Sequence, residues 1–339
     1  MKNCSQIQIK SIEKASHTLK KLSAALLAFI MLFAAACKFG NIDFDVTKAP
    51  QQQTQEPTQE PAHEKTAEDE AFEAVDREVF ISVVTSSGLT FHQFVKDAAS
   101  FGIAEEDIER GWGELSQEAD AADFAENAEI RKKLSEIDRS QLSYRNRIAY
   151  DNLVLNLKLS DEIHAVPDAY YYNEPLTVFN GEHTMLPLML SMYEISSAED
   201  AENYVLLLED APRYIGQIEQ FEREKAAKGL FMTENALNKV LESCTKFAET
   251  GNDCFLIGFF EDEMASAEFE ISEQQKTALL ERSRNSIINE LLPAYRSLAN
   301  TLEQLRPQCG SFAGACMRGV DAKDYYAAAI KSNAACNAE

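Results

Sequence analysis

The stretch "SSAEDAENYVLLLEDAPRYIGQIEQFEREKAAKG", Ser196 to Gly229, decides the fold class. Its apolar residues recur every three or four positions, the period of a helix with one buried face. Ser197 with Asp200 three residues on marks a helix start. Asp210 reads as a second N-cap, because Pro212 follows it and proline is tolerated in a first turn. Gly229 is placed to end that second helix. Two consecutive helices are expected here.

The same signals extend in both directions. Thr66 with Asp69 opens a helix whose Phe72, Val75, Val79 and Val83 share a face, and Ser86, Ser87 and Gly88 stop it. Leu89–Ile103 shows no helical face and reads as a long surface segment that contains His92. Phe124–Ile137 is a helix candidate. Ser143 caps another that runs to Val166, before Pro167. Tyr144, Ile148, Leu155 and Leu159, joined by Tyr150, Leu153, Val154, Leu157 and Ile163, make a stripe wide enough for packing on more than one side. Val166–Pro187, with Pro167, Pro175, Gly181 and Pro187, reads as a loop region.

Thr233 starts a helix with Leu237, Val240, Leu241, Cys244 and Phe247 inward. Ser272 and Gln275 form a capping box. The helix behind them carries Leu280, Ile287, Leu291, Leu298, Leu302 and Leu305 near one stripe, with a kink expected at Pro293. Asp321 caps a last helix with Tyr325, Tyr326, Ala329 and Ile330. No strand-like alternation is sustained. The class is all-α, a multi-helix array with irregular connecting loops.

The N-terminus carries an address. Residues 1–36 hold five lysines against Glu13 alone, a balance of +4 within a chain of net charge −24. The acidic remainder stays soluble and repels phosphate, so no nucleic-acid partner is expected. Leu22–Ala36 is an apolar run of 15 residues, shorter than the about 20 that span a membrane. It suits a signal peptide over 1–36, with Ala34, Ala35 and Ala36 before a cleavage site and Cys37 directly after. This order resembles a bacterial lipobox, with Ala34 where leucine is more usual. The expected product is lipidated at Cys37 and held at the extracytoplasmic face of the cell membrane; plain secretion and an uncleaved anchor are the alternatives. Residues 37–65, rich in Pro, Gln and Glu, form a disordered tether. The helical domain occupies 66–339.

Motifs for chemistry are sparse. The histidines His17, His63, His92, His164 and His183 include no pair four residues apart, as a helical zinc site requires. His63–Glu64 lies in the tether and lacks a second histidine. Glu182 and His183 adjoin within a loop, where a local hydrogen-bonding role is expected over a site. There is no phosphate loop and no nucleophile elbow. The acids of Gly258–Met264 read as a solvated helix face. Cys309 with Cys316, or Cys244 with Cys254, are candidate disulfides outside the cytoplasm; Cys336 makes the number odd. With no Cys-x-x-Cys pair, zinc binding by cysteine is not expected.

Several segments, in order, resemble the bacterial family catalogued as domain of unknown function 885. They are "FEAVDREVFISVVTSSGLTFHQFVKDAASFGI", "LSYRNRIAYDNLVLNLKLSDEI", the long block from Phe179 to Met232, "LLPAYRSLANTLEQL" and "GACMRGVDAKDYYAAAI", over about residues 70–330. The resemblance implies an extracytoplasmic lipoprotein built on the N-terminal scaffold of a helical zinc metallopeptidase. It further implies a metal-bearing segment, with a His-Glu and Pro-Gly-His pattern, beyond the region matching "KDYYAAAI". Those residues do not occur here, so no catalytic, cofactor or metal residue carries over, and zinc is expected only if a C-terminal part is supplied. The expectation is a chain cut short and inactive alone, with a complementing chain or peptides as partners. A non-catalytic binding lipoprotein is the alternative. Tyr325, Tyr326 and Ile330 are then expected to lack packing partners.

Overall fold

The computed structural model describes residues 64–334, with no side-chain description for the last two of these. The expected signal peptide, Cys37, His63, Cys336 and nearly all of the tether lie outside the described residues. Among the described residues there are helices, turns and a single bridge between Thr233 and Gly310, and no strand. The fold is all-α. No described helix is long and apolar enough to cross a membrane.

α1 (Ala67–Thr85) begins with the expected capping box between Thr66 and Asp69. Asp69 is almost fully buried, and its carboxylate also accepts from Ser143 N (2.9 Å) and Asn146 Nδ2 (2.8 Å). One carboxylate therefore joins the start of α1 to the start of the helix that Ser143 caps. Leu89–Ile103 is not the surface segment that its sequence suggests. It folds as α2 (Gly88–Phe94) and a 3-10 turn, and Val95 and Ile103 pack on Val84 in a small core of their own. These pieces are too short to display a helical period.

α3 (Gln117–Ser135) and α4 (Tyr144–His164) pack with α1 around Phe72, Val75, Ile130, Leu134 and Leu157. As its wide stripe suggests, α4 packs on more than one side: Leu157 lies in this core, while Ile163 packs against the separate cluster of Tyr172, Ala322 and Tyr325. Tyr144, Ile148, Val154 and Leu155 stay exposed.

α5 (Glu182–Ser191) replaces the expected loop end. Pro187 sits inside it and lacks the N–H that would bond the His183 carbonyl. Tyr295 takes over that role, donating its hydroxyl to the His183 oxygen at 2.9 Å. The substitution of a side-chain donor for a backbone one lets a helix form around a proline.

α6 (Ala198–Ala227) is one helix of 30 residues, not two. Its start is the expected one, with Ser197 Oγ accepting from Asp200 N. Asp210 is no cap. Its carboxylate instead accepts from Trp112 N (2.8 Å) and from Arg213 Nε (2.6 Å). Trp112 also donates Nε1–H to the Leu207 carbonyl at 2.8 Å. A mid-helix proline costs about 3 kcal/mol. Leu207, Leu208, Ala211 and Ile215 flank Pro212 and are fully or almost fully buried. Each large one contributes roughly 1.5–3 kcal/mol, so the continuous stripe outweighs the missing bond.

α7 (Glu234–Ala248), α8 (Phe255–Ser266), α9 (Glu273–Ser286) and α10 (Leu292–Gln304) enclose α6 in the largest core. The expected caps at Thr233 and Ser272 are present. Where a kink is expected at Pro293, α9 runs into α10 through a π turn, Ile287–Leu291, in which Leu292 N donates to the Ile287 carbonyl. Arg282 of α9 grips α6 through Glu202 (2.6 Å) and both oxygens of Glu209 (2.9 Å).

α11 (Ala322–Ala334) closes the described chain. Tyr325 does have partners: it stacks on Tyr172 at 5.0 Å between centroids and donates to Asn173. Tyr326 is partly buried and packs at the edge of the same core, and Ile330 remains exposed.

Two comparisons test this account. Tyr295→Phe should cost about 1–3 kcal/mol by leaving the His183 carbonyl unpaired. In a Pro187→Ala background, where residue 187 regains its N–H, the same change should cost clearly less; equal costs in urea unfolding would contradict the compensation. Gly111→Ala places a Cβ on the Asp210 carboxylate, 2.7 Å from its Cγ, and that carboxylate is held by Trp112 and Arg213. A loss of about 1–3 kcal/mol is expected. Gly216→Ala, on α6 with open space around it, should gain about 0.5–1 kcal/mol.

Candidate functional site

Three polar places stand out against the apolar packing. The first is a cavity of about 460 Å³ at the start of α6. α2 and the segment after it supply Phe91, His92, Lys96 and Arg110, and the opposite wall supplies Glu194, Glu199, Asp200 and Asn203. The His92 ring lies flat on Tyr193, 3.8 Å between centroids and 11° between planes. Its Nδ1 is 3.4 Å from Asp200 Oδ1. Asp200 Oδ2 accepts from Ser196 N (3.0 Å) and Ser196 Oγ (2.8 Å), which holds the carboxylate still. Arg110 donates to Asn203 Oδ1 at 2.8 Å. The Tyr193 hydroxyl is buried with no hydrogen-bond partner, and burial raises its pKa.

The second place is His183, in the first turn of α5 and not in a loop. It is 3% exposed, and neither ring nitrogen has a hydrogen-bond partner. Burial pushes its pKa down to about 4 and raises that of Glu182 beside it. Gly181 is required here, since a Cβ would come within 2.5 Å of Thr177 N and 2.8 Å of His183 Nδ1.

The third is a set of buried charges joining α6 to the segment before α11. Glu222 is fully buried, and neither carboxylate oxygen has a partner. Burial raises its pKa and lowers that of Lys225, which donates to the Asn173 carbonyl. Arg318 pairs with Glu174 but leaves Nε and Nη1 buried and unpaired.

Among the described residues no three His, Cys, Asp or Glu side chains converge as a metal-binding group. Glu182 and His183 have no third donor near them. The described residues do not fit a zinc ion, and no step through zinc follows from them. Cys309 and Cys316 are free thiols in this structure, the first half-buried and the second exposed. Cys244 and Cys254 are also free and buried, and burial pushes the Cys244 thiol up to about 12. The acids of Gly258–Met264 lie on α8, with Phe260 and Met264 in the core.

The sequence singled out His92 as a lone histidine and His183 only as the neighbour of Glu182. Arg110, Tyr193, Asn203, Glu222 and Arg318 carried no local signal, because their neighbours come from distant parts of the chain.

The model of the bacterial protein family of unknown function DUF885 matches residues 96–337, well over half of the chain. No curated protein matches it. Among solved structures, a protein from Colwellia psychrerythraea described as a lipoprotein superposes with a TM-score of 0.64 at 16% identity. The match covers 81% of this chain and 47% of that one, so this chain spans about half the length of its solved relative.

His183 makes a pH prediction. Its folded pKa is lowered from 6.5 to about 4, so the unfolded chain takes up a proton in that window that the folded protein refuses. The associated stability is complete above pH 6.5 and falls by up to about 3 kcal/mol as the pH drops to about 4. Glu182 acts in the opposite direction, so the contrast with His183→Leu isolates the imidazole. The variant should lose less stability across this window, measured by urea unfolding at each pH; parallel curves would contradict a buried neutral His183.

Proposed function

Because this chain belongs to the bacterial protein family DUF885, we propose that it is a lipoprotein anchored through Cys37 at the extracytoplasmic face of the cell membrane. Its helical domain supplies the scaffold of a metallopeptidase-like protein and has no peptidase activity of its own. The observation that carries this reading is the helical match that takes in 81% of this chain and 47% of a relative described as a lipoprotein. The order of basic residues, short apolar run, small residues and Cys37 supports the anchor. A partner carrying further helices would pack on the exposed apolar residues of α4 and on Ile330 of α11. Zinc, on this reading, belongs to such a partner.

A second reading, a binding lipoprotein without catalysis, is favoured by one feature: the cavity at the start of α6 brings together charges of both signs.

Expression of the full chain in a bacterial host with a clickable fatty acid tests the anchor. Label and membrane partition are expected for the natural chain and not for Cys37→Ser; an unlabelled natural chain would contradict it. Stoichiometric zinc together with peptide turnover by the purified chain would contradict the scaffold reading.

A further inference from the structure

We propose that the cavity at the start of α6 binds a small zwitterion, a ligand with an ammonium and a carboxylate on one carbon, as in a free amino acid. The assignment stands on the cavity and holds whether or not Cys37 carries lipid. A volume of about 460 Å³ admits a ligand of this size.

The charges select its chemistry. Arg110 is held by Asn203 through Nη1, which leaves Nε and Nη2 of the guanidinium without a protein partner. That free fork matches a carboxylate. Glu199 Oε1 lies 3.9 Å from Arg110 Nη1, too far for a hydrogen bond. In an α-amino acid the ammonium nitrogen is about 2.5 Å from the carboxylate carbon, from the N–Cα and Cα–C bonds. A carboxylate seated on Arg110 therefore carries its ammonium to the neighbourhood of Glu199.

The remaining groups rule against a single-signed ligand. Lys96 and Glu194 line the cavity without an ion-pair partner, and Asp200 lies beyond His92. A purely anionic ligand would face Glu194, Glu199 and Asp200. A purely cationic one would face Lys96 and Arg110.

Calorimetric titration of the full chain with L-alanine and with trialanine tests this. Saturable binding of L-alanine at up to millimolar concentration is expected, and trialanine, whose two charges lie on different carbons, should bind at least about tenfold more weakly. N-acetylalanine and alaninamide, each lacking one charge, should likewise bind at least about tenfold more weakly than alanine. Glu199→Gln, at an exposed side chain that holds no structural bond, and Arg110→Gln should each weaken binding by a similar factor, with melting curves confirming the fold. No binding, equal binding of the capped forms, or binding untouched by Glu199→Gln would overturn the assignment.

Discussion

The burial of α6 is the constraint from which the rest of the structure follows. Twelve of its 30 residues are buried, and they face the main core, the Tyr171–Tyr325 cluster and the α2 side in turn. A helix enclosed on so many sides has to satisfy its polar groups internally or with specific partners. Its outward grips are correspondingly specific: Trp112 and Arg213 on Asp210, Arg282 on Glu202 and Glu209, and Arg223 on Thr301 at 2.8 Å. Two of the three polar places lie along this helix, the cavity at its first turns and the buried Glu222 and Lys225 near its end.

Prolines mark where local preference yields to packing. Pro187, Pro212 and Pro293 all lie within or beside helices that continue past them. Each is accommodated by a different device. A tyrosine hydroxyl replaces the lost donor at Pro187, an apolar stripe outweighs the lost bond at Pro212, and a π turn precedes Pro293. The common cause is that tertiary burial contributes more than the few kcal/mol a proline removes.

This explains which parts of the fold were legible in advance. Helix starts at Thr66, Ser143, Ser197, Thr233 and Ser272 were readable because a cap is a local interaction between residues three apart. The break assigned at Asp210–Pro212 and the loop assigned up to Pro187 were misread, since the deciding partners, Trp112 and Tyr295, are distant in sequence. Of the cavity, only His92 was visible beforehand. Its pairing with Asp200 and its stacking on Tyr193 depend on α2 lying against the start of α6. The expected lack of partners at Tyr325 failed for the same reason, as Tyr172 and Asn173 lie some 150 residues upstream.

The fold of the described residues is an all-helical scaffold, and its geometry depends on α6 being continuous. Amide hydrogen exchange along Ser197–Lys228 measures that continuity most directly. Slow exchange is predicted on both sides of Pro212, with Leu208–Ile215 protected as strongly as the turns before and after. Rapid exchange confined to Glu209–Tyr214, dividing the segment into two helices, would contradict it.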